Sequence, residues 1–120
     1  MTLYVTRESV CAGDDVDAPH ARTFVLSSPP SIEQALTTVL ASGYLPSIAG
    51  GMASWSVASG RPVAVIAQQW SVPRLLFLTE RDLQQLDRSA GVLRLHFNYH
   101  AQRDPEFVYE VLRDLRLRAE

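Results

Sequence analysis

The alternation of apolar and polar residues over Val92–Tyr99, the cleanest in the chain, constrains the fold more than any other feature of the sequence. Successive side chains of a β-strand point to opposite faces, so a period of two residues is typical of a strand with one buried face. A helix would instead repeat its apolar residues every three or four positions. The chain is therefore expected to contain a sheet, and this strand would turn towards the core Leu93, Leu95, Phe97 and Tyr99.

Shorter runs of the same kind predict the other strands. Thr2–Val10 and Thr23–Ser27 lie on either side of a polar loop and predict a long hairpin. Met52–Ala58, Pro62–Gln69 and Arg74–Leu78 follow one another through short turns and predict a meander. Because serines alternate with the apolar residues of the first of these three strands, we expect one of its faces to be exposed to solvent.

Helix-capping signals predict three helices, at about 31–42, 80–88 and 105–118. Ser31 and Gln34 form a capping box before the first helix, Ile32–Ser42, and Gly43 ends it. The second helix, Glu80–Arg88, begins after Thr79, with Asp82 three residues on, and turns Leu83 and Leu86 inward. The third begins at Asp104 and Pro105, which suit the N-cap and first helical positions, and carries an apolar stripe formed by Phe107, Val108, Val111, Leu112 and Leu115.

The predicted order is therefore β-β-α-β-β-β-α-β-α. Strands follow strands through short connections, which favours a mainly antiparallel sheet of about five to six strands. Three amphipathic helices can cover one face of that sheet. We predict a single α+β domain over residues 1–120, a length that suffices for one hydrophobic core.

Composition narrows the classes of function. With 47% apolar and 20% charged residues and a net charge of −2, the sequence suits a globular protein and gives no reason to expect nucleic acid or an anionic membrane as partner. No segment is long and apolar enough to span a bilayer, and no secretion signal is evident. Cys11 is the only cysteine. We expect a cytoplasmic protein.

Catalytic and metal-binding motifs are weak in this sequence. It contains no P-loop, dinucleotide fingerprint or CxxC pair. His96 and His100 would lie too far apart along an extended strand to share a metal. The sequence therefore predicts no catalytic residues, no metal site and no cofactor.

The densest chemistry lies in Val10–His20, which we call the acidic loop. It lacks the alternating ligands of a calcium-binding EF-hand. Cys11 and His20 could form a nucleophile and base, but nearby carboxylates would raise a thiol pKa, so a buried, unreactive Cys11 is favoured.

A binding surface is the remaining interpretation of the acidic loop. Asp14, Asp15, Asp17 and His20 are the predicted partner-binding residues, and a basic protein surface is the expected complement. In the competing interpretation the aspartates only accept hydrogen bonds from the loop's own amides.

Two segments carry a resemblance to a known group of proteins: YVTRESVCAGDDVDAPH (Tyr4–His20) and ASGYLPSIAGG (Ala41–Gly51). They resemble a family of small bacterial proteins, some of which look like immunity proteins of polymorphic toxins of the type VI or contact-dependent kind. The resemblance covers roughly the first 50 residues and brings no catalytic residues with it. It implies a cytoplasmic protein that binds and inhibits a cognate toxin in interbacterial competition.

A second hypothesis stays open. The chain could be a small enzyme or ligand-binding domain with its site between the acidic loop, residues 11–20, and the glycine-rich loop, residues 43–51. Such a site would need polar groups that converge in an apolar cleft.

Overall fold

A computed structural model describes residues 1–76 and 79–119. The helices are α1, Ile32–Ala41, α2, Glu80–Gln84, and α3, Pro105–Ala119, with a short 3₁₀-helix at Ala12–Asp17. The strands are β1, Thr2–Arg7, β2, Arg22–Val25, β3, Ser54–Ala58, β4, Pro62–Ala67, β5, Arg74–Leu75, β6, Arg88–Ser89, and β7, Val92–Tyr99. This order confirms the α+β class. Part of the predicted strand Arg74–Leu78 lies outside the described residues.

The strands form one mixed sheet in the order β2-β1-β7-β3-β4-β5, and β6 pairs with the beginning of β7. The pairs are antiparallel except β1 with β7, which run parallel. The mainly antiparallel sheet, the hairpin of β1 with β2 and the meander of β3, β4 and β5 are therefore confirmed. The parallel pair joins strands from opposite ends of the chain. Alternation of residues within a strand does not indicate which other strand lies beside it.

The main core lies between α1 and one face of the sheet. The capping box of Ser31 and Gln34 starts α1, and Gly43, with φ of 75°, follows its end. The helix buries Ile32, Leu36 and Val39 against the sheet. The strands contribute the alternating side chains Leu3, Val5, Trp55, Val57, Leu93, Leu95 and Phe97.

Helix α3 lies on the opposite face, so the prediction that all helices cover one face is wrong. Ser54 donates a hydrogen bond through Oγ to the Arg103 carbonyl at 3.0 Å, and Tyr109 of α3 donates to the Leu75 carbonyl at 3.1 Å. Ser54 and Ser56 are 0% and 5% exposed, so the expected solvent-facing side of β3 is wrong as well. Serine side chains are small, which lets the helix approach the strands closely.

Helix α2 differs from its prediction in length and in orientation. Its capping box, formed by Thr79 and Asp82, is confirmed. It is short because Arg88 and Ser89 pair with β7 as strand β6. Asp82 is buried against Arg61, at 2.6 Å, while Leu83 is 46% exposed, so the expectation that Leu83 points inward is wrong. Leu86 is buried, as predicted.

Helix α3 leaves part of its apolar stripe uncovered. Val108 is buried, whereas Phe107, Val111 and Leu115 are exposed. Asp104 caps the helix by accepting a hydrogen bond from the Glu106 amide at 3.0 Å, and Pro105 holds the first helical position, as predicted.

Candidate functional site

The acidic loop folds into a 3₁₀-helix that presents its centre to solvent. Asp15, Val16 and Asp17 are exposed, and we call these three residues the acidic turn. Val16 is 86% exposed, the highest value among the exposed large apolar residues of the described chain. Within the described residues neither carboxylate of the acidic turn has an intramolecular partner. Both are therefore available to a partner.

Asp14 turns inward and binds Arg7. The guanidinium donates through Nη1 to Oδ2 at 2.8 Å and through Nη2 to Oδ1 at 3.3 Å, the two-point geometry that makes arginine–carboxylate pairs specific. Asp14 Oδ2 also accepts a hydrogen bond from the Val10 amide at 3.0 Å. The hydrogen bond from Arg7, followed by that from Val10, lowers the pKa of Asp14 to about 2. Asp14 is therefore ionised at neutral pH, and its contacts with Arg7 and the Val10 amide hold the beginning of the loop in place.

The ring of His20 is also enclosed in the base of the loop, with 8% of its side chain exposed. Its Nε2 lies 3.1 Å from Ser9 Oγ and 3.6 Å from Asp14 Oδ1. A catalytic triad needs the serine and the carboxylate on different ring nitrogens, because one orients the base while the other is activated. Ser9 and Asp14 both approach Nε2 of His20, so this Ser–His–Asp set has the geometry of a structural hydrogen-bond network and not of a catalytic triad.

Tyr44 belongs to the glycine-rich loop and contacts the acidic loop. Its hydroxyl donates a hydrogen bond to the His20 carbonyl at 2.6 Å. The Arg7 guanidinium lies 5.9 Å from the centre of the Tyr44 ring. Burial raises the pKa of Tyr44 to about 12. Tyr44 thus occupies the space in which the ligand-binding hypothesis places its site.

The four predicted partner-binding residues therefore divide into two pairs. Asp15 and Asp17 point to solvent, whereas Asp14 and His20 hold the loop from within. Hydrogen bonding to backbone amides, the competing interpretation, describes Asp14 alone among the three aspartates.

Sequence reasoning missed Arg7 and Tyr44 as parts of this site. A signal for Arg7 was present, because it continues the alternation of Leu3 and Val5 and so points to the buried face of β1. A charged side chain on a buried face needs a partner of opposite charge. The adjacent Glu8 would point to the other face of an extended chain, and the next carboxylates in sequence lie in the acidic loop.

Cys11 is exposed, so the prediction that it is buried is wrong. It occupies the position before the 3₁₀-helix, where its carbonyl accepts a hydrogen bond from the Asp14 amide at 3.0 Å. The backbone of Cys11 therefore takes part in the loop while its side chain faces solvent.

Two further histidines have separate partners. His96 Nδ1 lies 2.7 Å from Thr6 Oγ1, and His100 Nε2 lies 2.7 Å from Ser56 Oγ. Burial lowers the pKa of His100, so its neutral form is favoured. Among residues 1–76 and 79–119, no group of three or more His, Cys, Asp or Glu side chains is placed to hold a metal ion.

The described helices include none with the length and apolar character that crossing a membrane requires. Comparison of the chain with protein-family models, with curated proteins and with solved structures finds no match.

Proposed function

We propose that this protein is an immunity protein that binds a secreted bacterial toxin in the cytoplasm and inhibits its enzymatic domain. The observation that carries the proposal is the acidic turn, in which two unpaired carboxylates flank an exposed valine. The resemblance of Tyr4–His20 and Ala41–Gly51 to toxin-immunity proteins supports it. No catalytic role is assigned to the chain.

The base of the loop prepares the acidic turn for binding. The pair of Arg7 with Asp14 and the hydrogen bond from Tyr44 to His20 fix the backbone on both sides of Asp15–Asp17. A loop that is already ordered loses less conformational entropy when a partner binds, and this saving increases affinity. In the proposal, Asp14 and His20 position the turn, and Asp15 and Asp17 contact the toxin.

The chemistry of the turn indicates what it would contact. Enzymes that act on phosphate-bearing substrates place Arg and Lys at their active sites, and inhibitor carboxylates can occupy the place of the substrate's charge. Val16 would fill an apolar gap between such cations. The alternative, a small enzyme or ligand-binding domain, would have to displace Tyr44 from the junction of the two loops.

The test uses the protein encoded beside this chain in its genome, purified with its enzymatic domain intact. We expect this chain to suppress that enzyme's activity at a one-to-one ratio and to protect cells that express it. Asp15→Asn with Asp17→Asn should weaken inhibition at least about tenfold, because each carboxylate that pairs with a buried cation contributes about 2–5 kcal/mol and each at the rim far less.

Glu110→Gln is the matched control. Glu110 is exposed on α3, on the other face of the sheet, and its replacement removes one negative charge, as each of the two aspartate substitutions does. It should leave inhibition unchanged. Absence of binding by the unaltered chain would contradict the proposed function, and equal inhibition by all variants would contradict the role of the acidic turn.

A further inference from the structure

Strand β2 forms one border of the sheet, and its outer edge carries backbone hydrogen-bonding groups that pair with none of the described residues. In the strand order β2 comes first and pairs with β1 alone. Unpaired edges favour association with another strand, and proteins commonly protect them with charged residues, prolines or covering segments.

The register shows which backbone groups are free. The Leu26 amide donates to the Met1 carbonyl at 2.9 Å, so Met1 and Leu26 form a hydrogen-bonded pair of the β1–β2 ladder. Such pairs recur at every second residue of an antiparallel ladder. Phe24 and Arg22 are therefore the next residues that bond to β1, opposite Leu3 and Val5. The amides and carbonyls of Thr23 and Val25 point away from the sheet.

An exposed segment of the chain connects this edge to the acidic turn. From Asp15 to Val25 every residue is exposed except His20 and Phe24. Val25 is 85% exposed, so the two most exposed large apolar residues of the described chain, Val16 and Val25, lie at opposite ends of one segment. The Arg7 amide donates to the Pro19 carbonyl at 3.0 Å, which extends the pairing beside β1 to within two residues of Asp17.

We infer that the outer edge of β2 receives an extended strand of the toxin, which adds to the sheet as its next strand. The inference rests on the proposed function and specifies how the partner is recognised. Backbone hydrogen bonds to Thr23 and Val25 would provide affinity, and the exposed side chains would provide specificity, as is usual when a peptide extends a sheet. Basic side chains of the incoming strand would meet Asp15 and Asp17, since opposite charges attract.

A second copy of this chain is the competing occupant. Edge-to-edge pairing of two copies would use only the four residues of β2 and would bury little surface. Stable interfaces bury about 1,200 Å² or more. A toxin strand that also reaches the acidic turn can use the whole segment from Asp15 to Val25. The larger surface favours the toxin.

The test replaces Val25 with proline. Proline lacks the amide hydrogen and is tolerated on an edge strand where that hydrogen faces solvent, so Val25→Pro removes an outward donor without removing a bond to β1. Val25→Thr is the matched control, because it alters the same side chain and keeps the amide. Thr23→Pro repeats the experiment at the other outward position if Val25→Pro does not fold.

The probe is an inactive form of the toxin domain encoded beside this chain, and calorimetry measures its dissociation constant. We expect Val25→Pro to raise that constant at least about tenfold above the constant of Val25→Thr, because both variants lose the valine side chain and only Val25→Pro loses the amide hydrogen. The amides of Thr23 and Val25 should also exchange hydrogen more slowly in the complex.

Equal affinity of the folded Val25→Pro and Val25→Thr variants would overturn the inference and leave the proposed function standing. A self-associated unaltered chain that Val25→Pro converts to a monomer, with toxin affinity unchanged, would overturn it in favour of a second copy. Failure of the unaltered chain to bind would overturn the proposed function, and the inference with it.

Discussion

Tyr44→Phe tests the link between the two loops by removing a single oxygen atom. The hydroxyl of Tyr44 donates to the His20 carbonyl at 2.6 Å, and the residue is 9% exposed. A neutral hydrogen bond of this kind contributes about 1 kcal/mol to the free energy of unfolding. For a chain of this length that loss lowers the melting temperature by roughly 3–6 °C.

The pKa of Tyr44 gives a second and independent readout. In the folded state it is raised from 10.0 to about 12, so between those pH values the unfolded chain releases the proton while the folded chain keeps it. The free energy of unfolding should therefore fall as pH rises from 10 to 12. At pH 11, one unit above the ordinary pKa, the shift sets an upper limit of about 1.4 kcal/mol on this fall, and partial solvation of the ring should reduce it further. Tyr44→Phe should lack this contribution.

Denaturant melts at pH 7 and pH 11 measure both effects, and hydrogen exchange at the Val10 and Asp14 amides reports on the loop. Tyr109→Phe is the matched control, since it removes a hydroxyl that bonds the Leu75 carbonyl at 3.1 Å beside α3. It should lower stability without faster exchange in the loop. Unchanged stability and unchanged loop exchange in Tyr44→Phe would refute the anchoring role of Tyr44.

Two further predictions concern other parts of the chain. Arg61→Leu should lower the free energy of unfolding by about 3–5 kcal/mol in denaturant melts, because the 1% exposed Asp82 side chain loses the guanidinium that lies 2.6 Å away. Arg61→Lys should cost less, since it keeps the positive charge. Equal melts for the two variants and the unaltered chain would contradict a structural ion pair. Cys11→Ser should leave the melting temperature and the proposed inhibition of a toxin nearly unchanged, because the side chain is exposed. Loss of that inhibition with the fold retained would show that the thiol takes part.

Local signals in the sequence predicted the elements well. The capping residues Ser31, Thr79 and Asp104 start their helices as expected, and the alternation over Val92–Tyr99 gives a strand whose Leu93, Leu95 and Phe97 are buried. These signals depend on residues a few positions apart, and so they can be recognised within a single sequence.

Features that depend on distant contacts escaped prediction. The burial of Ser54 and Ser56 depends on α3, about 50 residues later in the chain. β6 was missed because Ala90 takes φ of 52° in the turn before Gly91, a conformation that alanine rarely adopts. In the site, Asp14 could not be distinguished from Asp15 and Asp17 by sequence, since the contact with Arg7 depends on how the loop folds back on β1.

Under the proposed function, the affinity of the toxin domain for the Asp15→Asn, Asp17→Asn double variant, relative to the unaltered chain, tests the central claim most directly. The account predicts at least about tenfold weaker binding at 0.05 M salt and a smaller ratio at 0.2 M, because salt screens exposed charges. Glu110→Gln should match the unaltered chain at both concentrations. A double variant that folds normally and binds as tightly as the unaltered chain would contradict the claim that the acidic turn contacts the toxin.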